Sequence, residues 1–555
     1  MISRTSTTLG TAGLTIVLLG LGACSGGDAP AEKASNAGTG GTGAAGMTSN
    51  AGSKASGGTN AAMGGTGGTG TGGTGTGGTG TGGTGTGGSA PAAGMGNGGT
   101  GATAGSGATA NGGTSGMGAA GMNAAGTLSA GGMSPMAGAA GMGTGGAGQP
   151  PTVNGALFTV TSKLASAMDA KAPTTVGIVT WSVMTVMVKS AYIEFGLDTK
   201  YGMQAPVDLT QMDYRTLLLG MKPSKTYHFR VVASDGSTQT ASDDYTIETG
   251  AVTSAVKIGG FSVKQEMGRE RGFIVTSYWQ GSGSSVAFIL DADGDIVWAY
   301  DTGMTGGIAR ARISYDGQNL WAVTADNGGQ SIRRVGMDGM NAQTYSSTKS
   351  SHDIAAVKGG TMAYLDYSVS CNDITEIDPS GTTKKIFTAS GVFGNQCHGN
   401  AVRYSEAEDE YTYSVVDKDV IRVSRAGEKL WSLASTVSGG NSSWGAVNHG
   451  HHLLKDSILI FANKGGTSNQ SAMIEYDFTG KKLGSYSGAM SANLGDVQRL
   501  PGGNTLVDFS NADVMQEVDS KGTVLVEITG PGSMNRFGYA TWRPTLYGPS
   551  PDITD

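Results

Sequence analysis

The chain has 555 residues, of which 97 are glycine, 6 are histidine and 3 are cysteine, and its formal net charge is −7. The chain is acidic overall and contains no run of basic residues, which argues against nucleic acid as a partner. Because glycine is concentrated before residue 150, only about 400 residues are expected to fold, enough for a small domain and a large one.

Residues 1–23 have the layout of an export signal. Arg4 supplies a positive start, and "AGLTIVLLGLGA" is too short and too rich in glycine to span a bilayer as a mature helix. The stretch ends in "LGAC", which resembles the bacterial lipobox. We therefore expect Cys24 to be lipidated and to anchor the protein to a membrane, as an exported lipoprotein of the outer membrane, cell surface or periplasm of a bacterium. An ordinary secretory signal with a chance cysteine is the alternative.

Residues 24–152 are mostly Gly, Thr and Ala. Such a segment has too few apolar side chains to offset the entropy of ordering its backbone, so it is predicted to be a disordered linker. Residues 153–252 follow as a first folded unit, with short β-branched and aromatic runs separated by turn signals. Its end, "KTYHFRVVASDG…TIETG", resembles the last strands of a fibronectin type III-like β-sandwich. His228 lies in this strand and is expected to be structural.

Residues 253–555 repeat a unit of four strands about 40–50 residues long, which is the signature of a β-propeller blade. Six units can be aligned, so the fold class predicted is all-β, with a six-bladed propeller after the sandwich. A long β-sandwich is the alternative. It would not explain why an Asp/Gly turn recurs at Asp291, Asp338, Asp378, Asp477 and Asp519.

Three of the six histidines open successive units: His352 opens the third, His398 the fourth and His449 the fifth. Because the first strand of each blade lines the central channel, these imidazoles are predicted to converge at one end of it. Asn400 lies two residues after His398 and shares its face of the strand. His451 is expected in a supporting position, and His452 between blades.

Three roles fit a ring of histidines: a Zn or Cu site, nucleophilic and acid–base catalysis, or a plain ligand-binding ring. The sequence offers no pattern that selects a metal. Cys371 and Cys397 form an even pair in what should be an oxidising compartment, so they are predicted to form a disulfide, with two free buried thiols as the alternative.

The folded part of the chain resembles the bacterial arylsulfate sulfotransferases, which are periplasmic six-bladed propellers with an N-terminal β-sandwich. The resemblance is carried by "SHDI" (351–354), "HGNAV" (398–402), "NHGHHLLKDSILIFANKG" (448–465) and "GDVQRLPGGNTLVDFSNADVMQEVDSKG" (495–522). It implies transfer of a sulfuryl group from a phenolic sulfate ester to a phenol, by a ping-pong mechanism that needs neither a cofactor nor a metal. Family members also carry a disulfide.

By this resemblance, His449 attacks the sulfur of the donor and forms a sulfohistidine. His398 and Asn400 fall on the family's "H-x-N" motif, which binds the sulfuryl group or assists proton transfer, and His352 falls on the remaining histidine of the site. Arg543 matches a C-terminal arginine that contributes positive charge, although a structural arginine at a strand end is equally compatible with the sequence.

One position departs from the family pattern. Where the family carries an arginine in the fourth blade, this chain has Val415, and Lys418 is expected to face away from the channel. Arg310 or Arg312 of the second unit would be a substitute cation, but a solvated position is favoured for both. A non-catalytic surface module that binds or adheres through the histidine ring is therefore kept as the alternative function, and a metal-dependent lyase or hydrolase as a third.

Overall fold

The computed structural model describes residues 150–549, except 185–186, 253–260, 280–284, 305, 325–330, 347–348, 446, 467–469, 531 and 533–535. The predicted signal segment, Cys24 and nearly all of the predicted linker lie outside the described residues. The described residues belong to one compact unit, and strands dominate its regular structure. Among them, no helix has the length and hydrophobicity needed to cross a bilayer.

The strands that precede residue 250 form two sheets packed face to face. They are β1 (Thr152–Val153), β2 (Phe158–Leu164), β3 (Gly177–Val183), β4 (Ser190–Gly196), β5 (Met203–Pro206), β6 (Thr216–Leu218), β7 (Thr226–Ser234), β8 (Gln239–Ala241) and β9 (Tyr245–Glu248). One sheet has the order β2-β3-β6, and the other β1-β8-β7-β4-β5 with β9 also on β7. Trp181, Phe195 and Phe229 from the two sheets share one core.

The second part of the described chain is built from short strands throughout. They are β10 (Ser262–Gln265), β11 (Phe273–Trp279), β12 (Val286–Asp291), β13 (Ile296–Asp301), β14 (Ile308–Ile313), β15 (Asn319–Thr324), β16 (Ile332–Gly336), β17 (Gln343–Tyr345), β18 (Ser350–Val357), β19 (Thr361–Asp366), β20 (Asp373–Ile377), β21 (Thr383–Phe387), β22 (Gly399–Ser405), β23 (Glu410–Val415), β24 (Asp419–Ser424), β25 (Lys429–Ser432), β26 (Asn448–Leu453), β27 (Ser457–Ala462), β28 (Ala472–Asp477), β29 (Lys482–Ser487), β30 (Asp496–Arg499), β31 (Thr505–Phe509), β32 (Val514–Val518), β33 (Val524–Thr529), β34 (Arg536–Phe537) and β35 (Thr541–Arg543). Two short helices, α1 (Ser390–Phe393) and α2 (Leu433–Thr436), connect sheets. Single 3₁₀ turns occur at Gly155–Leu157, Ala165–Ala167, Met212–Tyr214, Gly440–Trp444 and Ser510–Ala512.

Within the described part of 262–543 these strands form six antiparallel sheets. Four are consecutive hairpin units: β14–β17 (sheet 2), β18–β21 (sheet 3), β22–β25 (sheet 4) and β26–β29 (sheet 5). Sheet 1 contains β11–β13 with β34 and β35, and sheet 6 contains β30–β33 with β10. The first strands of sheets 2 to 6 contact one another in sequence. The fold is therefore all-β and propeller-like.

The central strands of these sheets are buried on both faces. All six residues of "EYTYSV" in β23 and of "SILIFA" in β27 are buried. A strand covered by neighbouring sheets on both sides has no solvent face, so it shows a continuous rather than an alternating apolar pattern. Apolar clusters between adjacent sheets supply this cover, such as the one shared by sheets 3 and 4 that contains Leu365, Tyr413 and Val415.

The recurring Asp/Gly turn closes the hairpin between the third and fourth strands of a sheet. In sheet 5, Oδ1 of Asp477 accepts hydrogen bonds from the backbone N–H groups of Thr479 (2.9 Å) and Lys481 (3.0 Å). Gly480 has φ +87°, a conformation that glycine adopts without steric cost. Equivalent bonds are made by Asp291, Asp378 and Asp519.

The sequence repeats do not predict the pairing of the strands at the two ends of this region. β10 precedes sheet 1 in the chain but pairs with β33 of sheet 6, and β34 and β35 follow sheet 6 but pair with β11 of sheet 1. Trp542 and Gln498 exchange two hydrogen bonds between β35 and β30, at 2.7 and 3.1 Å. The two ends of the region therefore lock the first and last sheets to each other.

The two-sheet unit packs on sheets 1 and 2. Its Val176, Ile178 and Leu219 belong to the same apolar cluster as residues of those sheets. Arg215 forms an ion pair with Asp338 at 2.6 Å, and the hydroxyl of Tyr547 accepts a hydrogen bond from the N–H of Leu219 at 2.8 Å. None of these contacts involves the histidines discussed below.

Candidate functional site

The structure brings together the three histidines that open sequence units three to five. His352 lies in β18, His398 directly precedes β22, and His449 lies in β26. The Nε2 atoms of His352 and His398 are 3.2 Å apart, and their rings meet edge to face with centroids separated by 4.8 Å. The charge of His398 acts on both His352 and His449, and the charge of His449 acts on His352, so the three residues form one group, called here the histidine cluster.

A backbone irregularity recurs where these side chains emerge. The pairing between the first and second strands shifts register at Ser351/Ile354 in sheet 3, at Gly399/Ala401 in sheet 4 and at Asn448/His451 in sheet 5. His352 itself has φ +67°, which is rare for a residue other than glycine. Bulges and strained backbone are concentrated at functional sites, where they redirect side chains.

The hydrogen bonds of Asn463 fix the tautomer of His449. The Asn463 amide nitrogen donates to the carbonyls of Ser491 and Leu494, both at 2.8 Å, so its oxygen must be the atom that lies 2.7 Å from Nδ1 of His449. Nδ1 therefore carries the proton, and Nε2 has a free lone pair. Nε2 is buried and has no hydrogen-bond partner among the described residues.

A similar chain of bonds orients the other two imidazoles. The Ser351 hydroxyl donates to the carbonyl of Thr324 at 3.2 Å, so Nδ1–H of His352 donates to Ser351 Oγ at 2.7 Å. Nε2 of His352 then accepts from Nε2–H of His398. The Tyr367 hydroxyl donates to the Gly399 carbonyl at 2.7 Å, and its oxygen lies 3.4 Å from the same Nε2 of His398. Nδ1 of neutral His398 is therefore the nitrogen left to exchange a proton.

Asn400 lies beside the cluster. Its amide nitrogen donates to the backbone carbonyl of Asn448 at 2.8 Å, and its backbone carbonyl accepts from the Tyr539 hydroxyl at 3.1 Å. Its side-chain oxygen is buried and has no partner among the described residues. The Tyr539 ring lies 6.4 Å from that of His449, between centroids. The site thus offers an unpaired acceptor oxygen as well as a free imidazole nitrogen.

Burial keeps the imidazoles of the cluster neutral. It lowers the pKa of His449 to about 3, although the hydrogen bond to Asn463 acts in the opposite direction. Burial also lowers the pKa of His352 well below its ordinary value, assisted by His398 and His449, and it lowers the pKa of His398. A neutral imidazole is a nucleophile and a base, whereas an imidazolium is neither.

His451 and His452 lie outside the cluster. Nε2 of His451 contacts Thr412 Oγ1 of sheet 4 at 2.8 Å. Nδ1 of His452 accepts from the backbone N–H of Arg499 in sheet 6 at 3.0 Å. His452 therefore bridges two sheets, as its position in the strand predicts.

The preference for a solvated Arg310 is wrong. Its side chain is fully buried, where it pairs with Asp353 at 2.8 Å and with Asp496 at 2.6 Å. Arg403 binds the same two aspartates. These four residues, the buried ion network, join the first strands of sheets 2, 3, 4 and 6. Arg310 is thus held by two carboxylates and does not replace the missing arginine at Val415.

Arg543 is not brought to the histidine cluster. β35 begins at Thr541, which accepts from Arg310 of the second sheet at 2.9 Å, and ends at Arg543. The Arg543 guanidinium donates to the carbonyls of Thr545 at 3.0 Å and Gly548 at 2.5 Å. The structure therefore supports a strand-end role for this residue and not the predicted catalytic one. Lys418 is also turned away, since its Nζ donates to the carbonyl of Phe393 at 3.3 Å.

The predicted disulfide between Cys371 and Cys397 is confirmed. It joins the start of β20 to the residue that precedes His398. A nearby hydrogen bond reinforces the link, because the N–H of Gly399 donates to the side-chain oxygen of Asn372 at 2.8 Å. The bridge therefore anchors one of the clustered histidines.

In the described ranges, no group of three or more His, Cys, Asp or Glu side chains is arranged to hold a metal ion. The two closest imidazole nitrogens instead share a proton, as described for His352 and His398. The sequence reasoning missed Asn463, Tyr367 and Tyr539. Asn463 follows β27, opposite the start of β26, so cross-strand register was the signal that would have identified it.

Neither a protein-family model nor a curated protein sequence matches the chain. Among solved structures, virginiamycin B lyase from Staphylococcus aureus is similar, with 11% identity and a TM-score of 0.34 over 50% of this chain and 99% of that chain. A protein of unknown function from Bacteroides thetaiotaomicron has 12% identity and a TM-score of 0.29, over 67% of this chain and 98% of that one. Likenesses this low carry no inference about activity.

Proposed function

We propose that this protein is an arylsulfate sulfotransferase-like enzyme that moves a sulfuryl group from a phenolic sulfate ester to a phenol through His449. The observation that carries the proposal is the free Nε2 of a neutral, buried His449 whose Nδ1–H is held by Asn463. A nucleophilic imidazole needs this protonation pattern. The resemblance of the motifs around His352, His398 and His449 to that family selects sulfur as the atom attacked.

In the first half-reaction, Nε2 of His449 forms a bond to sulfur while the bond from sulfur to the aryl oxygen breaks. The electron pair of that bond leaves with the phenolate, and the imidazole keeps its Nδ1 proton. The positive charge on the sulfurylated ring is stabilised by the Asn463 oxygen at 2.7 Å. In the second half-reaction, the acceptor oxygen attacks sulfur and the N–S bond breaks, which restores neutral His449.

His398 is proposed to move the proton. The negative charge of a bound sulfate ester favours protonation of nearby His398, offsetting the burial that lowers its pKa. Its Nδ1–H then protonates the departing phenolate, and the same nitrogen takes the proton of the acceptor phenol. His352 orients His398 through the contact between Nε2 atoms. The unpaired oxygen of Asn400 is suited to accept from the acceptor hydroxyl before it is deprotonated.

We take each of the six sheets as one blade of a six-bladed β-propeller, and the two-sheet unit as a fibronectin type III-like domain. The two exchanges of strands between sheets 1 and 6 support this, because a propeller closes its ring by such pairing. We also propose that Cys24 anchors the protein to a bacterial membrane, outside the cytoplasm, where the disulfide is stable.

The experiment is a steady-state assay with 4-nitrophenyl sulfate as donor and a phenol as acceptor, on protein treated with a chelator. We expect turnover with parallel double-reciprocal plots, and a loss of at least about a thousandfold in His449→Ala. His228→Ala is the matched control, because His228 lies in the two-sheet unit and pairs with Asp244. Turnover abolished by the chelator and restored by a metal would favour the lyase or hydrolase alternative.

One observation favours a second candidate, a binding module without catalysis. In the described part of the chain, neither His398 nor His449 contacts a lysine or arginine side chain, and the position of the family arginine is the buried Val415. Sulfuryl transfer develops negative charge that a cation would stabilise. Wild-type protein that binds 4-nitrophenyl sulfate without ever transferring the sulfuryl group would establish this candidate.

A further inference from the structure

A cavity of about 130 Å³ borders the buried ion network, two of whose members, Arg403 and Asp496, line it. Its lining includes Arg312, Arg403, His452, Asp496 and Arg543, and none of the three clustered histidines. We call it the arginine cavity. Its volume accommodates several water molecules or one small polyatomic ion.

The charges around the arginine cavity do not balance. Arg310 and Arg403 are paired with Asp353 and Asp496, two cations on two anions. Glu406, also in the lining, is paired with Lys358 at 2.8 Å. This leaves Arg312 and Arg543 without a carboxylate, and arginine stays protonated in proteins.

Arg312 is the residue that most requires a ligand. Its Nε is buried and has no hydrogen-bond partner among the described residues, whereas the side chain as a whole is half-buried. Burial lowers its pKa well below the ordinary value, and the positive Arg310 and Arg403 lower it further. Arg333, in the same sheet, differs because its guanidinium donates to Thr344 Oγ1 at 3.0 Å. A half-buried arginine that has no carboxylate partner, and whose Nε is buried without an acceptor, is stabilised when an anion binds to it.

His452 adds a neutral donor to the same lining. Its Nδ1 accepts from the N–H of Arg499, so its proton is on Nε2. The cavity therefore offers an arginine fork, a second arginine and an imidazole N–H, all donors. The two aspartates are already engaged by Arg310 and Arg403.

We propose that the arginine cavity is a binding site for a small oxygen-rich dianion, such as sulfate or hydrogenphosphate, separate from the histidine cluster. Such an ion matches the excess of two positive charges and the bidentate geometry of a guanidinium. It would bind Arg312 of sheet 2 and Arg543 of the strand that closes sheet 1. Binding of the ion is therefore expected to stabilise the packing of sheet 2 against sheet 1. This effect does not depend on which reaction the histidines perform.

The test is calorimetric titration of the full chain with inorganic phosphate and with selenate, in chloride buffer at constant ionic strength. We expect saturable binding of one ion and a rise in the unfolding temperature that chloride does not reproduce. Arg312→Gln should weaken binding at least tenfold and, without anion, should unfold no earlier than the wild type. Arg333→Gln is the control and should bind as the wild type does.

Equal binding by the wild type and Arg312→Gln would overturn the proposal, as would phosphate that stabilises no more than chloride. If Arg312→Gln does not fold, crystals of the wild type soaked in selenate decide, because an anomalous peak inside the cavity supports the site and a peak only elsewhere rejects it. His449→Ala should keep the binding. Binding lost in His449→Ala but kept in Arg312→Gln would assign the anion to the histidine cluster instead.

Discussion

Cys397 directly precedes His398, so the disulfide to Cys371 anchors the backbone that carries the proposed proton-transfer group. The bridge closes a loop with a sequence separation of 26 residues. It links sheet 3 to sheet 4 at the end of the sheets where His352 and His398 meet. Stability and site geometry are therefore coupled through one covalent bond.

Replacement of both cysteines by serine should cost about 3 kcal/mol of unfolding free energy, because the unfolded chain regains the entropy of the loop. The contact between the imidazoles of His352 and His398 should loosen, and turnover should fall with it. Urea unfolding and the transfer assay measure the two effects. Reductant should lower the stability and the turnover of the wild type in the same way, and it should not change the double variant further. A double variant as stable as the oxidised wild type would refute a stabilising role for the disulfide.

Asn463→Ala should allow His449 to adopt either neutral tautomer. Without the amide oxygen, Nδ1–H has no acceptor, and the proton is free to move to Nε2, which removes the nucleophilic lone pair. Long-range ¹H–¹⁵N spectra should show a mixture of tautomers, and sulfuryl transfer should slow at least about tenfold. Asn441→Ala is the control, since that exposed side chain donates only to the Asp417 carbonyl. An unchanged tautomer in Asn463→Ala would show that other groups orient the ring.

Acid should destabilise the protein through its buried histidines. The pKa of His449 falls from 6.5 in the unfolded chain to about 3 in the fold. Between these values the unfolded state binds a proton that the folded state does not, so stability is greatest above pH 6.5 and declines as the pH falls towards 3. In His449→Gln, the slope of unfolding free energy against pH should be smaller by about 1.4 kcal/mol per pH unit in this window. Denaturant titrations at pH 4.5, 5.5 and 6.5, roughly spanning the window, measure it; identical slopes would contradict burial of a neutral His449.

Removal of one carboxylate should break the buried ion network. Asp353 accepts from Arg310 at 2.8 Å and also binds Arg403, and these arginines hold its pKa below the ordinary value although burial acts to raise it. Asp353→Asn leaves a buried charge uncompensated and should cost about 3–5 kcal/mol. Glu527→Gln, which breaks the exposed pair with Lys264, should cost less than about 1 kcal/mol. Urea unfolding compares the two variants, and equal costs would show that the network contributes little.

Local sequence patterns were sufficient to predict the strands, the Asp/Gly turns and the meeting of the histidines. A turn such as that at Asp477 is determined within a few residues, and repeat register carried His352, His398 and His449 to equivalent places. The exchange of β10, β34 and β35 between sheets was not predictable in this way, because it depends on pairing between segments hundreds of residues apart.

Charge pairing between sheets was also beyond the sequence patterns. "ARAR" reads as an exposed run, and only the arrangement of four sheets shows that Arg310 meets Asp353 and Asp496. The role of Asn463 depends on which atom of its amide faces His449, a matter of three-dimensional hydrogen bonding. The carbonyl partners of Arg543 depend on how the chain turns after its strand, which similarity at a strand end does not reveal.

The proposed function requires that His449 accepts the sulfuryl group covalently. Wild-type protein mixed with a ³⁵S-labelled aryl sulfate and no acceptor should take up one acid-labile label, which peptide mass spectrometry should assign to His449 and which a phenol should remove. His228→Ala should be labelled fully and His449→Ala not at all. Wild-type protein that binds the donor but is never labelled, or label that persists in His449→Ala, would contradict the account.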